Sequence, residues 1–444
     1  MQFSTELSQH ISELVVTEVQ RQLCSQPELP PQELEGELRE AMHTLAGECW
    51  AAVLNSLEPR YAPATRPCPC GSAATYRGRR EATTLSTFGR VRYARSYYVC
   101  PRCHQGQHPL DEQLGLGAGQ VSPLLGSLLG LAGVQTAFEE GSRLIEKWLQ
   151  VRVSENTLRA QSEGYGQRQR AREVHWQEQS QDEGWLLARR RSVPEGPSRL
   201  YGGIDGVIVP VEGEWQELKC GCWYEVETRH SPAQAPPGEL GGLRARKISY
   251  YCDVSDAVHF RDLVWATGCQ RDADRAREIV FVADGAAWIW NLVRYHFPQA
   301  VQIVDWYHAA AYLTPIAQAA LGDGSAAAQA WLEQARQLLW QGQIETLLRR
   351  CAEMRSYRGA AESVDKALSY YGHNQERMHY AELRRRGYQI GSGIVESACK
   401  QIGTFRLKRA GARWSKEGAC TIAKARAAWL SNQWDDLATF PQAA

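Results

Sequence analysis

Two short apolar runs in the stretch IVFVADGAAWIWNLVRYHFPQAVQIVDWYH, residues 279 to 308, each stop on an aspartate, Asp284 and Asp305, 21 residues apart. Uninterrupted runs of this length, separated by a helix-length segment, are how parallel strands covered on both faces read. A strand–helix–strand unit brings its two strands out parallel, so both acids arrive at the same end of a sheet. Ligands of open α/β sheets gather at that edge.

Three more strand-like segments precede the pair: LYGGIDGVIVPV, QELKCGCWYEVE and RKISYYCDVS. Their close spacing reads as a meander, which makes the whole a mixed sheet. Residues 315 to 386 carry no strand pattern and read as a helical insertion, with Leu332, Leu338, Leu339, Leu347 and Leu348 at core positions. Asp205 lies in the first strand, and two-residue alternation points its side chain the same way as Val207 and Val209. A carboxylate on an apolar face is costly unless neutralised. Two of them about 4 Å apart repel by roughly 4 kcal/mol at an effective dielectric of 20, which calls for a cation between them. Oxygen donors favour magnesium or manganese. Asp205 and Asp284 each precede a glycine, where the absent side chain would let a phosphate approach the backbone. A third acid is found in GYQIGSGIVESACKQIGTFRLKR, where Ser392 is placed as an N-cap and Ile394, Ala398, Ile402 and Phe405 as the buried stripe of a helix. Glu396 falls off that stripe and is the only acid between Arg384 and Arg413. Taken singly, each acid also has an ordinary reading as a turn residue, helix cap or first-turn glutamate.

The chain has 444 residues, room for several domains, and Pro- and Gly-rich segments punctuate it at 27–32, 58–67, 192–198 and 228–242. Fifty basic and fifty acidic side chains cancel, but unevenly. Residues 1–60 hold ten Glu and three Arg, residues 66–103 eight Arg and one Glu, and residues 384–426 eleven Lys or Arg and two Glu. Basic blocks in a neutral chain suggest contact with a polyanion at particular surfaces, with a solvated basic face as the plainer alternative. The longest nearly apolar stretch, Pro123 to Gly133, is well short of the roughly 18 residues of a membrane helix, and the start lacks a leader's apolar centre. The expected location is therefore cytoplasmic, with no membrane partner.

Thirteen cysteines, without small-scaffold spacing, fit reduced thiols or metal ligands better than a disulfide framework. Cys68, Cys70, Cys100 and Cys103 form two close pairs of the kind that hold zinc in a ribbon, although the first pair is C-x-C where C-x-x-C is usual, and His104 could substitute. TYRGRR, which holds Arg77, Arg79 and Arg80, and GRVRYARSYY interleave arginine with tyrosine in the basic hairpin between the pairs, suited to phosphates and also simply to strands. AFEEGSRLIEKWLQVRVSENTLRAQ offers a helix to Leu149 and a second helix capped by Ser154. It reads as a helix-turn-helix that presents Asn156, Thr157 and Arg159 to base edges, or as a packed hairpin only. By charge alone, Lys400, Arg406, Lys408, Arg409 and Arg413 are candidate phosphate contacts.

Together, Asp205, Asp284 and Glu396 on this element order resemble the DDE transposases with an RNase H-like core. The likeness is nearest to bacterial insertion-sequence transposases of the ISKra type, related in plan to the Mutator and hAT groups. Those groups carry a [Cys or Asp]-x-x-His element after the second catalytic Asp, matched here by Asp305-Trp306-Tyr307-His308. The ending GARWSKEGACTIAKARAAWLSNQWDD also looks like the family's. The resemblance covers roughly residues 66–436 and implies an α/β fold: an RNase H-like mixed sheet with a helical insertion, preceded by a helical N-terminal segment, zinc ribbon and helix-turn-helix. The corresponding boundaries are 1–60, 61–112, 113–192, 199–314, 315–386 and 387–444. It implies cut-and-join chemistry on DNA ends, with two Mg2+ or Mn2+ ions held by Asp205, Asp284 and Glu396 and a structural Zn2+ elsewhere. Asp305 and His308 would orient the metal site, contact DNA or act as caps. The partner would be double-stranded DNA, the terminal inverted repeats of the element and its target, engaged by a homo-oligomer such as a dimer on paired ends in the bacterial nucleoid. A metal-dependent nuclease or resolvase that cuts without joining, and a DNA-binding regulator that no longer cleaves, are the alternatives.

Overall fold

The computed structural model describes residues 5–25, 31–58, 63–116, 121–192, 195–228 and 242–440. Much of the expected Pro- and Gly-rich punctuation, at 26–30, 59–62, 193–194 and 229–241, lies outside the described residues. The chain is a mixed α/β protein of two compact units, residues 1–164 and 165–444, with one sheet in each. No described helix is long and apolar enough to cross a membrane.

The first unit opens with α1 (Thr5–Ser25) and α2 (Pro31–Leu57). An antiparallel sheet follows in the order β1 (Thr65–Pro67), β2 (Ala73–Ser86), β3 (Gly89–Val99) and β4 (Gly106–Gln107). α2 covers one face of the long β2–β3 hairpin, burying Leu54 against Val91 and Tyr93. Arg79, Arg90 and Arg92 are exposed on the opposite face, while Arg77 at the β-bulge and Arg80, opposite Arg95 on the Tyr93 side, are exposed as well. Next come α3 (Pro109–Leu114), α4 (Pro123–Gln135), α5 (Phe138–Leu149) and the start of α6 (Glu155–Gln181). Leu125, Leu129, Ile145, Val151 and Leu158 form their common core. α5 ends where the sequence places its end, at Leu149, because Gln150 takes a left-handed φ of 56°. Ser154 accepts the Thr157 N–H at 3.1 Å and so caps α6, one of the unpaired donors of its first turn being satisfied.

The second unit continues through α6 to α7 (Glu183–Ser192) and a five-stranded sheet: β5 (Leu200–Val211), β6 (Glu214–Thr228), β7 (Leu243–Asp253), β8 (Ile279–Ala283) and β9 (Val301–Val304). Spatial order is β7-β6-β5-β8-β9, with the first three antiparallel and β5, β8 and β9 parallel. This is the mixed sheet that the meander and the paired apolar runs lead one to expect. α8 (Ala257–Cys269) leads into β8, and α9 (Ala287–His296) makes the crossover to β9. Gly202 is required where β5 meets β8, since a Cβ there would lie 2.5 Å from the Phe281 ring.

After β9 the chain is helical: α10 (Trp306–Ala311), α11 (Leu313–Leu321), α12 (Ala326–Trp340), α13 (Ile344–Glu353), α14 (Ala361–Asn374) and α15 (Tyr380–Arg385). α16 (Gly393–Ala398) runs directly into a π-helix, Cys399–Leu407, which packs on β5. α17 (Lys416–Leu430) covers β7, and α18 (Trp434–Thr439) follows. A buried ion cluster ties α6, β7 and α17 together. The Lys424 ammonium bonds to Glu173, to Asp253 at 2.9 Å and to the Cys252 carbonyl at 2.9 Å. Burial opposes its charge, but the two carboxylates outweigh that penalty and hold it protonated.

The π-helix corrects two expectations. It widens the pitch to about 4.4 residues per turn, since its bonds run i→i+5. Burial accordingly follows Val395, Cys399, Gly403 and Leu407, with Ala398, Ile402 and Arg406 beside them. Phe405, placed by a 3.6-residue period in the buried stripe, is 61% exposed. Arg406, placed on the surface as a phosphate contact, is 3% exposed and packs over the Trp414 ring. Burial first, and then the neighbouring Arg409 and Arg426, lower its pKa to about 9.

Candidate functional site

Parallel pairing sets the three aspartates in one row. Gly203 pairs with Val282, and Ala283 with Val304. Continuing those registers brings Asp205 level with Asp284, and Asp284 level with Asp305, on adjacent strands roughly 4.8 Å apart. The local settings differ. Asp205 is still within β5, and its Oδ1 accepts the Gly206 N–H at 2.7 Å. Asp284 follows β8, and its Oδ1 accepts the Ala286 N–H at 2.9 Å, closing the turn that leads into α9. Asp305 is fully buried and is the N-cap of α10.

Glu396 joins this edge from the other side of the helical insertion. α16 packs against β5 and β6, and Val395 sits where a Cβ on Gly203 would come within 3.0 Å. Ser392 stands at the N-cap position as expected, but its side chain accepts no capping bond. Its hydroxyl instead donates to Glu396 Oε1 at 2.8 Å. Burial first, and after the opposing Gly206 N–H the Asp284 charge and then that of Glu396, raise the pKa of Asp205. The Cys399 thiol, delivered by the π-helix, donates to Asp205 and counters this in part. Burial likewise raises Asp305, against the Ser392 and His308 N–H groups, and the Glu396 charge adds to it. Asp205 thus feels both partner acids, and none of the three is in an ion pair among the described residues.

The donor set is therefore hard, anionic and uncompensated, which fits a divalent cation better than any side-chain partner. It is not drawn tight around a single point. Among the described residues, the four cysteines are the only group of three or more His, Cys, Asp or Glu whose ligand atoms all lie within 4.8 Å of one another.

The glycines after the aspartates have causes the sequence does not suggest. Gly285 has φ of 102°, a left-handed region that favours glycine, and a Cβ there would lie 2.9 Å from the Tyr370 ring. A Cβ on Gly206 would meet the Glu217 carboxylate at 2.2 Å. Tyr370, from α14 of the helical insertion, donates its hydroxyl to the Asp284 carbonyl at 2.7 Å and stacks on Tyr312 at 4.0 Å. Exposed His308 lies 6.5 Å from the Tyr370 ring, so it borders the row without joining it. Tyr370 and Cys399 were not singled out in the sequence, because each looks like an ordinary core position of a helix.

The cysteine group belongs to the first unit. Two tight turns present it: the Cys68 N–H donates to the Ser72 carbonyl, and the Cys100 N–H to the Gln105 carbonyl. Sγ–Sγ distances of 3.5 Å, Cys68 to Cys103 and Cys70 to Cys100, approach the roughly 3.8 Å that tetrahedral Zn–S bonds of about 2.3 Å impose. The Cys103 and Arg102 backbone N–H groups lead in lowering Cys100 to about 6, while sharing protons with it raises Cys70 and Cys103, so the four thiols together favour one thiolate at Cys100. His104 is exposed and outside the group. Of the other candidates, Arg77, Arg79, Arg80, Asn156, Arg159, Lys400, Lys408, Arg409 and Arg413 are exposed and Thr157 is half-buried. Arg159 donates to Asn156 at 3.2 Å.

No family model matches the chain, and no curated protein matches it.

Proposed function

We propose that this chain is a DNA transposase of the DDE type that binds the terminal inverted repeats of its insertion sequence and cleaves and joins DNA with divalent metal. The observation that carries the reading is the meeting of Asp205, Asp284 and Glu396 at one sheet edge, with Asp205 under the charge of both others. The order β7-β6-β5-β8-β9, with three antiparallel strands followed by two parallel ones, supports an RNase H-like core. The helices between β9 and Glu396 correspond to the insertion that the resemblance implies.

Asp205, Asp284 and Glu396 would hold two Mg2+ or Mn2+ ions, which when bound supply activation of a water or 3′ hydroxyl and stabilisation of the departing oxygen. The protein's own contribution is placement. The β5–β8 register fixes two carboxylates side by side, the Tyr370 hydroxyl restrains the Asp284 loop, and the Ser392 hydroxyl orients Glu396. Exposed Arg77, Arg79 and Arg80 of the β2–β3 hairpin, together with Asn156, Thr157 and Arg159 at the start of α6, would bind the element's end, with phosphate contacts supplying most of the affinity. Zinc on Cys68, Cys70, Cys100 and Cys103 would fix the base of that hairpin. Two ends must be joined, so a homo-oligomer such as a dimer, acting in the cytoplasm on nucleoid DNA, is part of the reading.

The test is purified protein with labelled element ends, with and without magnesium. Strand transfer supports the transposase, nicking alone supports a nuclease, and binding without cleavage supports a regulator. Asp284→Ala is expected to abolish cleavage and keep DNA binding; full activity in that variant removes Asp284 from the site.

A further inference from the structure

Asp305 differs from its two neighbours in the row because each of its oxygens accepts a backbone N–H. One accepts the His308 N–H that opens its own helix. The other accepts the Ser392 N–H at 2.6 Å, across 87 residues of chain, at the turn from which α16 starts. Two backbone bonds reinforce the junction. The Asp305 N–H donates to the Ala283 carbonyl at 2.8 Å, and the Trp306 N–H to the Ile390 carbonyl at 3.0 Å. Ser392 then passes the constraint on, its hydroxyl donating to Glu396 Oε1 at 2.8 Å. A buried carboxylate accepting backbone N–H groups makes charge-assisted bonds, stronger than neutral ones. The Ser392 hydroxyl is the one side chain among the described residues that hydrogen-bonds the Glu396 carboxylate, so that acid's place depends on where the Ser392 turn is held.

We propose that Asp305 is a positioning residue: a clasp between the end of β9 and the Ser392 turn that sets where Glu396 stands relative to Asp205 and Asp284. The inference rests on reading those three acids as an ion-holding site, and it assigns Asp305 to the support of that site rather than to the ligand set. It also explains why an aspartate closes β9 in a position that is wholly dry. A cap serving α10 alone needs one oxygen, whereas a carboxylate can hold two segments at once.

The test uses the full chain and the Asp305→Asn variant, which keeps the size but turns one acceptor into a donor facing a backbone N–H. Hydrogen exchange reads the clasp directly and needs no metal. Amides from Ser392 to Glu396 should exchange at least about tenfold faster in the variant, while those of β5 stay unchanged; equal exchange at Ser392 overturns the proposal. Titration with Mn2+ alone, without DNA, reads the consequence. Affinity should fall about tenfold or more, the usual effect of losing a group that orients a ligand. Asp305→Asn combined with Glu396→Gln should bind no more weakly than Glu396→Gln alone, because a clasp acts only through Glu396. Additive losses would make Asp305 a ligand itself and overturn the assignment. If Asp305→Asn does not fold, Ser392→Ala, which keeps the backbone bond and removes the hydroxyl, should still weaken Mn2+ binding; wild-type affinity there overturns the link to Glu396. Mn2+ binding that Asp284→Asn leaves untouched would sink the three-acid reading, and the exchange measurement would then decide the clasp by itself.

Discussion

Replacing Asp205 by Asn should make the protein more stable when no divalent ion is added, which is the reverse of what removing a hydrogen-bonded polar group usually does. Carboxylates one strand apart, at about 5–6 Å, repel by roughly 3 kcal/mol at an effective dielectric of 20. Asp205 is only partly buried, so solvent screening reduces the net gain to about 1–2 kcal/mol. For a unit of this size that is a rise in Tm of about 2–3 °C. The amide oxygen of Asn can still accept the Gly206 N–H, so that bond is conserved. The sign of the pH dependence follows from the raised pKa of Asp205, caused first by burial and then by the Asp284 and Glu396 charges. A carboxyl with a higher pKa folded than unfolded binds its proton more readily in the folded state, so wild-type stability falls as pH rises through that raised value. The advantage of Asn is therefore complete at neutral pH and vanishes below about pH 4, where the unfolded carboxyl is protonated too. Magnesium should invert the ranking. At a hundred times its Kd it adds about 2.7 kcal/mol to wild type and far less to the variant. Thermal melts of both proteins at pH 5 and pH 7.5, with and without magnesium, measure all four corners. An Asp205→Asn variant that melts lower without ion, with both proteins shifting equally when magnesium is added, would refute the account of three uncompensated acids.

The other expectations concern the supports. Cys100→Ser should abolish the bound zinc measured by atomic absorption, at one ion per chain in wild type, and loosen the β2–β3 hairpin, since the Cys100 and Cys68 side chains also pack on Ala74 and Tyr98. Lys424→Met leaves buried Glu173 and half-buried Asp253 without their cation and should cost about 3–5 kcal/mol in urea unfolding, mostly through Glu173; adding Glu173→Gln should restore part of it. Gly403→Ala puts a Cβ 2.5 Å from Val207 Cγ1, a stiff β-branched neighbour, and should destabilise by about 1–3 kcal/mol, with Val207→Ala relieving the loss.

The parallel part of the sheet is legible because burial on both faces removes alternation: IVFVA has no polar side to show and AVQIV only Gln302, and strands β8 and β9 lie within them. Asp205 is legible for the opposite reason, as a charge on the apolar face of a strand that otherwise alternates. That Asp284 and Asp305 share one end of the sheet follows from parallel pairing alone; that Asp205 lies level with them is added by the β5–β8 register. What the sequence does not carry is which acid has oxygens to spare. Asp284 and Asp305 end similar apolar runs, yet one faces a turn of three residues and the other bridges two segments 87 residues apart. That difference is made by Ser392, whose backbone N–H carries no sequence signal at all.

Helix pitch is the other quantity hidden from a pattern of apolar residues. Ile394, Ala398, Ile402 and Phe405 fit a 3.6-residue period, and the first three are at least half-buried. The misplacement of Phe405 and that of Arg406 then have a single cause, since widening the turn after Ala398 rotates one out of the core and the other into it. The wider turn also brings the Cys399 thiol to Asp205 and lays Gly403 on Val207. A regular helix from Gly393 onward would rotate Gly403 away from β5 and set a larger side chain against Val207, lifting the segment from the strand that carries Asp205. Maintaining the π-helix is thus part of keeping Glu396 near its partners, and it accounts for a glycine at 403 in a stretch where helix propensity alone would disfavour it.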